Sequence, residues 1–170
     1  MSISEGEGRT VVIGLGNPLM ADDGLGLAAL ERLRAAGPPA DVELVDGGTW
    51  GMNLLPVIEA ADRVLLLDAI DVGAAPGTLH VLERMQIPRY LATKISPHQV
   101  DLSDVLALAE LRGTLPDNTV AIGLQPERVE MSCELSEAVH SHLDDLVAAV
   151  SRRLAAWGHG ARPAPAATHA

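Results

Sequence analysis

The stretch TVVIGLGNPLMADDGLGL, residues 10–27, decides how the chain can fold. Its first four residues form a short β-branched, apolar run, which is typical of a buried strand. The glycines, asparagine and proline that follow cannot extend a strand and allow a sharp turn. Apolar residues then recur at helical spacing from 25 to 33, after Asp22 and Asp23. A strand, a glycine turn and a helix in this order predict an α/β sheet whose ligands bind at the carboxyl ends of its strands.

The remaining chain continues the alternation of strands and helices. Further strands are predicted at 42–45, 63–69, 78–82 and 119–124, and further helices at 52–61, 101–111 and 136–157. The fourth strand follows the third after too short a connection for a crossover helix, so it is predicted antiparallel to the third, at an edge. The pattern predicts a single three-layer α/β domain: a twisted, mostly parallel sheet of about five strands with helices on both faces.

The ends of the chain differ in composition from the predicted domain at 10–158. Residues 1–9 are acidic and polar, and residues 159–170 are rich in proline and alanine. We expect a flexible N-terminus and a disordered tail. The N-terminus is the reverse of a signal peptide, and no apolar run approaches the roughly 20 residues of a membrane-spanning helix. A cytoplasmic protein without a membrane partner is the resulting expectation.

Charge and cysteine content exclude several classes of function. The net charge of −11 opposes binding to a phosphate backbone, so no nucleic-acid partner is expected. The single cysteine, Cys133, excludes an internal disulfide and a cysteine-rich zinc site. A dinucleotide-binding loop is also excluded, because Leu19 stands where the third glycine is required and two aspartates would repel a pyrophosphate.

Two aspartates and one histidine are the candidate site residues. A helix cap needs only one of the neighbouring acids Asp22 and Asp23. Asp23 can therefore have either a structural or a functional role. Asp68 ends a buried strand, where a carboxylate needs either a hydrogen bond from a neighbouring turn or a ligand. His98 follows a proline in a predicted loop, where most histidines are simply solvated. Together the three suit a divalent metal with open coordination positions, in a metal-dependent hydrolase or a binding domain.

An ordered series of motifs resembles the hydrogenase maturation proteases. The series runs from 11 to 157 and comprises GLGNPLMADDGLG (14–26), DGGT (46–49), DAI (68–70), PGT (76–78), KISPHQ (94–99), GLQPE (123–127) and LS (135–136). The resemblance implies a twisted sheet with helices on both faces. It also implies that Asp23, Asp68 and His98 are the catalytic and metal-contacting residues, with Asp23 standing where many relatives have glutamate.

The resemblance further implies an activity and its partner. The protein is expected to be a metal-directed, aspartic-type endopeptidase that removes the C-terminal extension of a nickel–iron hydrogenase large-subunit precursor. Nickel already inserted in that precursor would be the recognition element, and another divalent metal could replace it in vitro. Cys133 is assigned no role.

Two other functions compete with this interpretation. Peptidyl-tRNA hydrolases also open with GLGNP after their first strand, but the Thr-Arg-His-Asn segment that carries their catalytic histidine is absent from this sequence. The high negative charge also opposes tRNA. A nickel-binding chaperone or scaffold that docks a hydrogenase precursor without cutting it is the second alternative, and the sequence discriminates poorly between docking and cutting.

Overall fold

Five strands and six α-helices follow one another in the part of the chain that the structure describes. A computed structural model describes residues 8–93 and 97–160, except for the side chains of 97–101. The strands are β1 (Thr10–Leu15), β2 (Val42–Gly48), β3 (Arg63–Ala69), β4 (Leu79–Glu83) and β5 (Asn118–Leu124). The helices are α1 (Leu25–Ala36), α2 (Leu55–Glu59), α3 (Ile87–Leu91), α4 (Pro97–Leu111), α5 (Glu137–His140) and α6 (Leu143–Ala156). No helix within the described ranges is long and apolar enough to span a membrane.

The strands form one sheet in the order β2-β1-β3-β5-β4. All neighbours are parallel except β4 and β5. The predicted mostly parallel sheet of five strands is therefore confirmed. The chain passes from β1 to β2 on one side and then places β3 on the other side of β1. The strand order thus reverses between β1 and β3, and in open α/β sheets such a switch point leaves a crevice at the carboxyl ends.

The sheet divides the apolar core into two layers. Along β1 and β3, alternate residues contribute to opposite layers, because successive side chains of a strand point to opposite faces. Val12 and Leu65 pack with α1 and α6 in one layer. Val11 and Val64 pack with α2, α3 and α4 in the other layer. Helices therefore cover both faces, which explains why β1 is buried along its whole length.

The fourth strand is not a direct neighbour of the third. β4 is antiparallel and lies at an edge, as predicted, but it pairs with β5 rather than with β3. The position beside β3 is occupied by β5, which is buried at all but its first residue and suits the centre of a sheet. β4 has no fully buried residue and suits an edge.

Two predicted helix boundaries also differ from the structure. The helix predicted at 136–157 is divided into α5 and α6. A ring nitrogen of His142 lies 2.7 Å from the carbonyl oxygen of Ala138, the acceptor that a continuous helix would use for the His142 amide. The helix predicted from 101 begins at Pro97, where the missing N–H costs little. His98 is therefore in the first turn of α4 rather than in a loop.

The packed region extends one residue beyond the predicted boundary at 158. The side chain of His159 is buried, and its two ring nitrogens lie 2.7 Å from the Thr10 hydroxyl and 2.7 Å from the Asp41 carboxylate. These contacts attach the end of α6 to the amino edge of the sheet. The rest of the predicted tail, from 161, and residues 1–7 lie outside the described residues.

The contact between His159 and Asp41 predicts a pH-dependent contribution to stability. The hydrogen bond from His159 lowers the pKa of the Asp41 carboxyl below its ordinary value. A lowered carboxyl pKa adds stability above the unfolded-state value of about 4 and loses it as the pH falls through the folded-state value. We expect Asp41→Asn to be less stable than wild type at pH 7, with a difference that shrinks toward pH 3. Urea unfolding at both pH values measures this, and a difference independent of pH would contradict it.

Candidate functional site

The crevice at the switch point is bordered by the segments that follow β1 and β3. The first segment turns sharply at Gly16, continues into a 3-10 turn at Ala21–Gly24 and enters α1. The second segment follows β3. Asp68 is the sixth of the seven residues of that strand, so the strand extends one residue past its acid. Because β1 and β3 are parallel neighbours, these two segments meet at one edge of the sheet.

Gly16 is the residue around which the two segments pack. Its φ of 112° lies in the region that favours glycine. A Cβ atom at this position would lie 1.9 Å from the backbone oxygen of Asp23 and 3.5 Å from Oδ1 of Asp68. The absence of a side chain therefore lets the Asp23 backbone and the Asp68 carboxylate approach the same turn.

Asp23 and Asp68 are buried carboxylates, 7% and 6% exposed. The Asn17 amide donates to Oδ2 of Asp23 over 2.9 Å, and the Ala69 amide donates to Oδ1 of Asp68 over 2.8 Å. Each carboxylate is thus oriented by a neighbouring backbone N–H. Carboxylate oxygens are common ligands of divalent cations. The crevice is accordingly suited to bind a cation.

The adjacent Asp22 has a different environment from Asp23. It is fully buried and accepts four hydrogen bonds: from the amides of Glu127, Arg128 and Ser136, and from the Ser136 hydroxyl, at 2.7–3.1 Å. The expected helix cap is not observed, since neither the 3-10 turn nor α1 has a side-chain cap. Asp22 instead joins the segment after β1 to the segment after β5, which is a structural role.

The side chain of His98 lies outside the described residues. Its backbone is the second residue of α4. Within the part of the chain whose side chains are described, no three potential metal-binding residues of the His, Cys, Asp or Glu type come together. The structure thus places two members of the predicted trio, Asp23 and Asp68, beside one turn, and the position of the third stays a prediction.

Gln125 orders the crevice and was missed as a site residue in the sequence. It is buried, and its amide nitrogen donates to Oδ1 of Asp71 over 2.8 Å. Its Oε1 accepts from the amides of Val72 and Ala74 at 2.9 and 3.1 Å. These bonds hold the loop that follows Asp68. A polar residue directly after a buried strand is the signal that identified Asp68, and the same signal is present after β5.

Tyr90 fixes the same loop from the other side. Its hydroxyl donates to the Ala69 carbonyl oxygen over 3.2 Å and accepts from the Asp71 amide over 3.0 Å. Tyr90 belongs to α3, the helix that precedes α4 and therefore precedes His98. The end of β3 is thus attached directly to the helix that leads into the His98 segment. Cys133 is exposed and lies in the segment between β5 and α5.

A family model and several sequence relatives agree on one protein family. A family model described as HycI, hydrogenase maturation protease, matches residues 27–153. The hydrogenase expression/formation protein HupD of Rhodobacter capsulatus is 40% identical over 153 residues, which cover 88% of this chain and 73% of that protein. The hydrogenase 2 maturation protease of Escherichia coli (strain K12) is 34% identical over 157 residues, covering 91% of this chain and 96% of that protein.

Solved structures give the same result. The structure of the hydrogenase maturating endopeptidase HybD from E. coli matches with a TM-score of 0.84 at 34% identity, covering 88% of this chain and 94% of that one. The [NiFe] hydrogenase maturation protease HybD from Thermococcus kodakarensis matches with a TM-score of 0.71 at 27% identity, covering 85% and 98%.

The packing around Gly16 predicts a severe effect of a single methyl group. We expect Gly16→Ala to lose at least about 3 kcal/mol of unfolding free energy, because the new Cβ would meet a backbone oxygen and the backbone would be strained. Gly37→Ala is the matched control: Gly37 also has a positive φ, but a Cβ there meets nothing within 4 Å. That variant should lose only about 1 kcal/mol. Denaturant unfolding of both variants measures the difference, and equal losses would contradict the packing argument.

Proposed function

Because the chain belongs to the hydrogenase maturation protease family, we propose that it removes the C-terminal extension of a nickel–iron hydrogenase large-subunit precursor after nickel insertion. The observation that carries the proposal is the pair of buried carboxylates, Asp23 and Asp68, beside the Gly16 turn at the switch point. The nickel belongs to the substrate in this proposal.

Electrostatics supports a cationic substrate centre at this crevice. Two carboxylates beside one turn attract positive charge, and the attraction is stronger in a partly buried crevice than in bulk water. A divalent ion supplies that charge, and carboxylate oxygens together with an imidazole form a donor set that borderline divalent metals accept. In the proposal Asp23 and Asp68 contact the substrate's nickel, and His98, near the start of α4, supplies the imidazole.

Contact with the metal would position the scissile peptide bond. A precursor anchored through its nickel presents the bond that follows in the chain at a fixed distance and orientation, which lowers the barrier to attack by water. Hydrolysis also requires an acceptor for the proton of the attacking water, and a carboxylate in the crevice is a group of the right type. Recognition and orientation would thus depend on the same side chains.

The decisive experiment uses the purified full chain and a nickel-loaded large-subunit precursor. We expect the precursor to lose the mass of its C-terminal extension, measured by intact-protein mass spectrometry, whereas nickel-free precursor stays uncut. Cleavage of nickel-free precursor at the same rate would contradict recognition through nickel. Tight binding without any mass loss would instead support the non-cleaving scaffold.

Substitution of the three residues predicts a graded loss of cleavage. Asp68→Asn keeps the shape of the side chain but removes its charge, and His98→Ala removes a nitrogen donor. Each should slow cleavage by at least about 100-fold. Asp23→Glu keeps the charge and should cost less than about tenfold, because only the reach of the carboxylate changes. Thermal unfolding serves as the control for folding. A fully active Asp68→Asn variant would refute the assignment.

Cys133 should be dispensable in this mechanism. Covalent catalysis by a thiol requires an activated thiolate and an aligned base, and metal-directed hydrolysis requires neither. We expect Cys133→Ser to process the precursor at a rate within about twofold of wild type. Loss of processing in a folded variant, measured by the same mass assay, would require a thiol-based mechanism.

A further inference from the structure

Large apolar side chains are exposed mainly at the edge of the sheet that carries the crevice. Among the described residues nine large apolar side chains are exposed. Six of them lie in the segments that follow β1, β2, β3 and β5, at the carboxyl edge. We call these six residues the apolar rim: Leu19, Trp50, Met52, Val72, Val129 and Met131. The other three lie elsewhere: on β4, between β4 and α3, and at the last residue of α4.

Backbone hydrogen bonds hold two parts of the rim together. The Ser132 amide donates to the Leu19 carbonyl oxygen over 3.0 Å, and the Ala21 amide donates to the Ser132 carbonyl oxygen over 2.8 Å. These bonds bring Leu19 next to the chain that carries Met131. The buried carboxylate of Asp22 anchors the same chain through the Arg128 amide, directly before Val129. Exposure of these side chains is therefore built into the fold.

The remaining rim residues are also attached to ordered backbone. The Trp50 amide donates to the Gly47 carbonyl oxygen over 2.9 Å, at the end of β2. The neighbouring Gly48 carbonyl oxygen accepts the Gly16 amide over 3.0 Å, next to the crevice. Val72 is held through its amide by Gln125. The rim thus draws on the segments that follow four strands, and two of these segments border the crevice.

Exposed apolar side chains beside an acidic crevice are characteristic of a protein-binding surface. Apolar side chains that stay in water forgo the free energy of burial, so their concentration at one edge indicates that a partner covers them. Tryptophan and methionine are enriched at interfaces, where aromatic anchors supply much of the binding energy. The acidic crevice inside the rim adds a requirement for positive charge in the partner.

We propose that the apolar rim docks the folded body of the hydrogenase large-subunit precursor, outside the extension that is removed. The inference rests on the proposed function: Leu19 and Val72 lie in the two segments that border the crevice in which the scissile bond would lie. The precursor's matching surface is expected to carry apolar side chains around its metal centre. In this arrangement the crevice orients the bond and the rim determines the affinity for the substrate.

The test compares a rim variant with a matched exposed residue far from the crevice. The rim variant is the double substitution Trp50→Gln, Met131→Gln, and the control is Leu111→Gln at the end of α4. Trp50 is 54% exposed, Met131 90% and Leu111 85%, so each of the three glutamines replaces an exposed side chain. Steady-state cleavage of the nickel-loaded full-length precursor gives KM and kcat, and surface plasmon resonance on the immobilised precursor gives its affinity.

We expect the double variant to raise KM about tenfold and to weaken binding similarly, with kcat unchanged. Leu111→Gln should match wild type in all three quantities. Unchanged KM and affinity in the double variant would overturn the proposal, as would a fall in kcat alone or an equal effect of the control. If wild type binds the precursor without cutting it, the proposed function fails, and weaker binding by the double variant still supports docking at the rim.

Discussion

The buried carboxylate of Asp22 is the interaction on which the architecture of the carboxyl edge depends. Its two oxygens accept four hydrogen bonds from residues more than 100 positions later in the chain. Hydrogen bonds to a charged group contribute about 1.5–3 kcal/mol each, and a fully buried carboxylate is costly without them. Asp22 therefore requires that the segment after β5 folds back against the turn after β1.

Several features of the edge follow from that attachment. The Ser136 hydroxyl donates to Asp22 and also accepts the Val139 amide, so the same side chain that binds the carboxylate begins α5. The 3-10 turn that contains Asp22 also contains Asp23, which is thereby held beside Gly16. One aspartate stabilises the edge, and its neighbour lies at the crevice.

The second carboxylate is held by an independent set of contacts. Asp68 lies on the central strand β3, buried between the two core layers. The loop that follows it is bound by Gln125, directly after β5, and by Tyr90 from α3. Two separately anchored acids thus lie beside the Gly16 turn, where the strand order reverses.

The sequence by itself determined the α/β class, the two-sided core and the positions of the acids, because these depend on local patterns. Uninterrupted apolar strands predict burial on both faces, and an acid at a strand end predicts the functional edge. Only the tertiary structure decided the partner of β4, the break at His142 and the buried environment of His159. It also distinguished Asp22 from Asp23 and identified Gln125 as the residue that orders the loop after β3. Apart from the break at His142, which is a local contact with Ala138, each of these features depends on contacts between residues distant in the chain. The spacing of residues along a sequence does not encode which distant groups will satisfy a buried polar atom.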